Sequence, residues 1–310
     1  MRRELTIEIE RDDGLGEGNP RLVADGSRWR VEVGGLEGFG GVTYEVSTQE
    51  YAQYDGSLVM RERTPEQDRT VVLGARFDPA EARDEAMGFF IPHREYTVRC
   101  TLMGRTRHFR GRQYAMDVEL GSLALPTTVT WTCLSPQPFW LSEDEHGYDI
   151  AEAQGRRGFP FASPADRVPP EAPVPKSAAP AHVAGFVVGV ISHATRLVNS
   201  GHVPTYPRFT VSASGNVSNP TVRVLDASGN AAMDVTVLVD MADGDELVID
   251  FESRPTVIEL NGANVSHLVK PGSTLAASIG VGRYDVEWSA ESGDASMRVV
   301  PSIRERYTGV

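Results

Sequence analysis

Seven histidines, two cysteines and 43 carboxylates are among the residues of this chain that could do chemistry, and their spacing decides what each could do. A zinc peptidase needs two histidines one helical turn apart around a glutamate, and no His-Glu-x-x-His run is present. The acid-rich run DMADGDELVIDFE lacks the alternating oxygen ligands of a calcium loop, and its Asp243-Gly244 reads instead as a hairpin turn. A phosphate loop needs Gly-Lys-Ser/Thr, whereas the only lysines, Lys176 and Lys270, follow Pro175 and Val269. GLGEGN and GLEGFGG lack the third glycine of a dinucleotide loop and open no helix, so both read as turns. No Gly-x-Ser-x-Gly elbow occurs. The expectation is therefore no catalytic residue, no metal and no cofactor.

Two alternatives stay open on chemistry. A glycoside hydrolase needs only two carboxylates close in space, although Asp226, Asp243, Asp245 and Asp294 sit in turns where acids make local hydrogen bonds. A carbohydrate-binding module adhering to host cell-wall glycans through residues 185–310 is the other, and separately Phe139 and Trp140 could form a sugar-stacking platform, although they suit better an anchor at the end of a domain. Cys100 and Cys133 share a strand face with Tyr96 and Val98, and with Val129 and Trp131, respectively, which predicts two buried thiols.

The elements that would hold these residues are mostly strands. Apolar and polar residues alternate in LTIEIE, RWRVEV, VTYEVS, SLVMRER, TVVLGAR, YTVRCTLM, YAMDVEL and TTVTWTC, separated by Gly- and Asp-rich turns. DPAEARDEAMGFF interrupts them with one helix, Asp78 capping it, Pro79 opening it, and Ala82, Ala86, Phe89 and Phe90 on one face. Residues 160–180 hold seven prolines in 21 positions, a composition that builds no core and marks a linker over 141–184. Strands return beyond it, at AGFVVGV, ATRLVN, RFTVSAS, PTVRVLD, MDVTVLVD, DELVIDF, TVIELNG, YDVEWSA and SMRVVPS. The predicted class is mainly β in two domains: a β-sandwich or split barrel with one helix over 1–140, and a β-sandwich over 185–310.

Charge narrows the partners. The formal net charge is -13, and basic against acidic residues number 17 to 22 over 1–140, 4 to 7 over 141–185 and 9 to 14 over 186–310. With every part acidic, sequence-specific nucleic-acid binding is not expected. No apolar run approaches the ~20 residues that span a bilayer, and Glu4, Glu8 and Glu10 interrupt what would be a signal core, so neither membrane insertion nor secretion is expected.

The order of the motifs resembles the distal tail proteins of siphovirus-type bacteriophages. GLEGFGG, then Asp55-Gly56 in YDGS, then Arg69 opening an apolar strand, then the helix, then Pro138 and Trp140 in SPQPFW match the first domain of that family. Its second, galectin-like domain opens with Asn-x-Gly and Pro-Thr-x-Pro, which resembles Asn199, Gly201, Pro204, Thr205 and Pro207 in LVNSGHVPTYPRFTVS. GDELVIDF and the hairpin at Asn261-Gly262 are similar to the Gly-Asp turn, strand and Asn-Gly hairpin that come next in that domain.

The resemblance implies a homo-hexameric ring in the virion, at the distal end of the tail, assembled in the bacterial host cytoplasm. Its partners would be the tail tube protein, the tail hub or tail-associated protein, and receptor-binding or other baseplate proteins. Genomic DNA would pass through a lumen with a repulsive acidic wall. The segment from Tyr44 to Leu73, with Leu58, Met60 and Val71, is the candidate hairpin for the ring interface, since an unpaired edge is safe when the next subunit pairs it.

Overall fold

The structure is a computed structural model that describes residues 5–51, 55–119, 127–147, 193–253 and 255–310. The chain divides into two compact units, Met1–Asp144 with Glu305–Val310, and Glu145–Arg304.

The first unit contains β1 (Leu5–Asp12), β2 (Arg21–Ala24), β3 (Trp29–Glu37), β4 (Glu45–Glu50), β5 (Ser57–Arg63), β6 (Gln67–Ala75), α1 (Pro79–Phe89), β7 (Glu95–Leu102), β8 (Arg105–Val118), β9 (Thr128–Ser135) and β10 (Trp140–Ser142). One sheet runs β2-β1-β7-β8-β9-β6-β3, with β10 against β8; among the described residues no pairing joins β2 to β3, so it stays open. Alternation does what it promises: on β1, Ile7 and Ile9 are buried, and on β9, Val129, Trp131 and Cys133. Asp78 accepts hydrogen bonds from the amides of Ala80 and Glu81, and the helix it caps presses Ala82, Ala86, Phe89 and Phe90 into this core. Phe90 stacks on Trp131 at 5.1 Å between ring centroids. On β8, opposite Tyr96 of β7, Gly111 is required, because a Cβ there would lie 2.5 Å from the Cys133 sulfur and from the Leu134 carbonyl oxygen.

The second unit contains β11 (His146–Gly147), β12 (His193–Asn199), β13 (Pro207–Ala213), β14 (Val217–Ser218), β15 (Thr221–Leu225), β16 (Ala231–Thr236), β17 (Asp240–Met241), β18 (Glu246–Asp250), β19 (Val257–Leu260), β20 (Ala263–Asn264), β21 (Gly282–Ser289) and β22 (Met297–Ile303). One sheet runs β11-β22-β13-β18-β19-β20 and the other β12-β21-β15-β16. Phe209, Val211, Ile249 and Val299 of the first share one core with Leu197, Val224, Met233 and Trp288 of the second. That is a β-sandwich.

Two boundaries differ from the sequence reading. Residues 141–147, expected as linker, carry β10 and β11, strands too short to show a period. Residues 305–310, expected in the second domain, belong to the first unit, where β23 (Arg306–Tyr307) pairs with β10. The Pro-rich run and AGFVVGV lie outside the described residues.

Cys100 and Cys133 are free, buried thiols, and burial pushes both up to about 12 from the ordinary 9.0. Below about pH 9 folded and unfolded chains both keep these protons; above it only the unfolded chain releases them, so stability falls between pH 9 and 12. The native protein should give no rapid reaction with Ellman's reagent at pH 8, and two thiols per chain in denaturant; fast titration of the native protein would overturn the burial.

Candidate functional site

The residues singled out by sequence fall into three constellations. In the first unit, Arg69 lies on β6 in phase with Val71 and Leu73, and like them it is fully buried. Its Nη2 donates to the Pro138 carbonyl at 2.5 Å and its Nε to the Gly38 carbonyl at 3.3 Å. The guanidinium carbon stands 4.3 Å from the Phe109 ring centre and 5.0 Å from that of Trp140. Burial lowers its pKa to about 10, which leaves it charged at neutral pH.

Phe39 completes this cluster, 6.0 Å from Phe109 and 5.2 Å from Trp140. Gly38 must be glycine: its φ is +73°, and a Cβ would sit 2.4 Å from the Asp68 carbonyl. The end of the chain closes over the same turn. Val310 donates its amide to the Phe39 carbonyl, Arg107 donates to the Gly309 carbonyl, and the Arg107 guanidinium lies 3.7 Å from the Tyr307 ring centre. GLEGFGG, Arg69, Pro138 and Trp140, up to about a hundred residues apart in sequence, are one packed assembly. Phe109, which no motif marks in the sequence, belongs to it as well, and so does Tyr307 of the terminal RERYTG, which resembles the aromatic close of the family.

In the second unit, the chain leaves β12 in one sheet and enters β13 in the other through the opening motif. Asn199 is buried; its Nδ2 donates to the carbonyls of Val203, Ile279 and Gly280 at 3.1–3.3 Å, and its Oδ1 accepts the Gly201 amide at 3.0 Å. Thr205 exchanges both backbone hydrogen bonds with Ile279, and its Oγ1 donates to the Arg304 carbonyl. Pro204 is exposed, whereas Pro207 is buried at the head of β13, paired with Ile303. Asn261 and Gly262 form the β19–β20 turn, both left-handed at φ +50° and +78°.

The third constellation is the hairpin of β4 and β5, which pair with each other and with no other strand among the described residues. Every residue of both strands is exposed, with Val46, Leu58, Val59 and Met60 among them, and Tyr44 exposed just before. Gly56, at φ +102°, follows Asp55 at the entry to β5. Val71 and Leu73, grouped with this hairpin by sequence, belong instead to the core: the ladder from β6 to β9 continues straight through them.

A groove of about 360 Å³ on the second unit is lined by Thr221, Arg223, Asp234, Thr236, Lys270, Pro271, Gly272, Ser273 and Ser289. It presents no aromatic ring on which a sugar would stack. Phe139 lies under the Arg306 guanidinium and Trp140 is buried, so neither is a free platform. Among the described residues, no three His, Cys, Asp or Glu side chains come together as a metal site requires. No helix there is long and apolar enough to cross a membrane.

Residues 200–306 match the family model described as the siphovirus-type tail component, C-terminal domain. The fold is similar to that of SPP1 Dit, described as a paradigm of the hub adsorption apparatus in phages infecting Gram-positive bacteria, with a TM-score of 0.63 at 13% identity over 97% of this chain and 98% of that one. It is also similar to a chain of the phage P2 baseplate in its activated conformation with calcium, TM-score 0.56 at 8% identity over 99% of each chain. No curated protein matches in sequence. The resemblance drawn from the motifs thus holds, by family model for the second unit and by fold along nearly the whole chain.

Arg69 and Asn199 each donate to backbone carbonyls inside the fold, and a buried acceptor left without its donor costs roughly 1–3 kcal/mol. Arg69→Met and Asn199→Ala should each lower stability in urea by about 2–4 kcal/mol. Arg223→Gln, which breaks an exposed pair with Asp234, should cost under about 1 kcal/mol. Equal effects from all three would show that the buried groups hold nothing special.

Proposed function

We propose that this chain is the distal tail adaptor of a siphovirus-type phage. It is a non-catalytic virion protein, without cofactor, that forms a six-membered ring at the tail tip and connects the tail tube to the baseplate hub and receptor-binding proteins. The observation that carries the reading is the likeness to SPP1 Dit from one end of the chain to the other, in both units and not in the sandwich alone. The family model over residues 200–306 points the same way independently.

The exposed hairpin supports the ring. Its outer backbone edges have no partner strand among the described residues, and its apolar side chains have no core to enter. Insertion of each hairpin against the next subunit is a head-to-tail contact, which closes into a ring when the rotation is right. A net charge of -13 suits a ring through which a polyanion passes without sticking. In this reading assembly takes place in the host cytoplasm, and the second unit carries the contacts to the outer baseplate proteins.

Light scattering across protein concentration and salt tests the proposal. A species near six times the 33.8 kDa chain mass, about 203 kDa, is expected. Joint substitution Leu58→Asp and Met60→Asp should leave folded monomer with an unchanged circular-dichroism spectrum, since both side chains are about half exposed. A ring that survives this double substitution would remove the hairpin from the interface. A chain that stays monomeric even with tail tube and hub proteins added would remove the ring.

A further inference from the structure

The chain contains a single Asn-Gly step, Asn261-Gly262, the dipeptide whose unhindered backbone most readily attacks its own side chain. In that reaction the Gly262 nitrogen loses its proton and bonds to Asn261 Cγ, ammonia leaves, and water opens the resulting succinimide to aspartate or isoaspartate. The reaction needs a side-chain amide free to turn toward the following nitrogen.

Here the amide is held at both ends. Asn261 Oδ1 accepts the Glu246 amide at 2.9 Å, Nδ2 donates to Asp245 Oδ1 at 2.8 Å, and the Asn261 backbone amide donates to the Glu246 carbonyl at 2.8 Å. Asp245 is itself fixed, its Oδ2 accepting the Ala242 amide at 2.7 Å. The amide of Ala242, then the carboxamide of Asn261, hold the Asp245 carboxyl below its ordinary range. Two turns, one before β18 and one after β19, are thus clasped through a carboxylate and a carboxamide.

We propose that Asn261 is a latent deamidation site in the second unit, kept intact by Asp245, and that its conversion opens the clasp. The clasp reads the difference between an amide and an acid directly. An aspartate at 261 cannot donate to Asp245; it sets a second carboxylate beside the first, and like charges at that distance repel. Isoaspartate also adds a backbone atom inside a turn that needs two consecutive left-handed residues. The other susceptible step, Asn199-Ser200, is held more tightly still, with the Asn199 amide engaged in the four hydrogen bonds described above.

The test uses the full chain at 37 °C and pH 8.5, with peptide mapping by mass spectrometry to follow the gain at residue 261 over time. Native protein should deamidate at least about tenfold more slowly than the same chain in urea, the factor that an opening cost of about 1.4 kcal/mol produces. Asp245→Ala should remove most of that protection while circular dichroism stays native. Asp245→Asn, which keeps an acceptor oxygen without the charge, should fall between the two. Asn261→Asp, the product itself, should lower the urea midpoint. Native protein that deamidates at the denatured rate would overturn the proposal, as would an Asp245→Ala variant that folds and remains as protected as the original, or an Asn261→Asp variant of unchanged stability.

Discussion

The first unit is organised around a cation held away from water. A guanidinium surrounded by protein gives up its hydration, and the depressed pKa of Arg69, about 10, registers that loss. What offsets it is geometric: two backbone carbonyls accept its N–H groups, and the rings of Phe109 and Trp140 lie against it. Those four contacts come from three separate stretches of chain. The cation can remain buried only if the Gly38 turn, β6, β8 and the Pro138–Trp140 entry to β10 are all in place, so one side chain makes their positions interdependent. Phe39 and the chain end then settle onto a surface that exists only when the cluster is complete.

The second unit solves a similar problem without charge. A chain that leaves one sheet of a sandwich and enters the other must break its ladder, and the break exposes carbonyls inside the fold. Asn199 answers with a carboxamide that donates to three of them and accepts an amide in return. A neutral amide is cheaper to desolvate than a guanidinium, and this bend needs no aromatic faces to compensate. The prolines that come after it limit where the chain can go next, and Thr205 pins it to Ile279.

Much of this was legible in the order of the residues. The alternation in LTIEIE and RFTVSAS located β1 and β13 because each has a face to bury, and Asp78-Pro79 marked the helix start through capping chemistry. The burial of Arg69 was also available, since its place two residues before Val71 and four before Leu73 puts it on the core face; Asn199 stands in the same phase as Leu197. The partners of these residues were not legible, because Gly38, Phe109 and Pro138 are brought to Arg69 only by the strand order. The strands β10, β11 and β23 escaped for a different reason. Two or three residues carry no period, and their pairing is imposed by neighbours already in place.

The contrast between edges bears most directly on assembly. In the second unit the outer edge of β16 is sealed: Lys270 and Thr274 donate their amides to the Thr236 and Asp234 carbonyls, and Ser273 Oγ accepts the Thr236 amide. A rigid Lys-Pro-Gly-Ser turn thus occupies the hydrogen bonds that another strand would seek. In the first unit, β4 and β5 have no such cover among the described residues. Their ribbon rests on its own ladder, a shift of register opposite Met60, and an exposed pair between Arg63 and Glu45, and a two-stranded ribbon so composed has little stability of its own. One fold thus closes the edge of β16 with dedicated hydrogen bonds and leaves both edges of the β4–β5 ribbon unpaired among the described residues. The ring reading rests on that contrast: a two-stranded ribbon gains most where a further strand can pair with it.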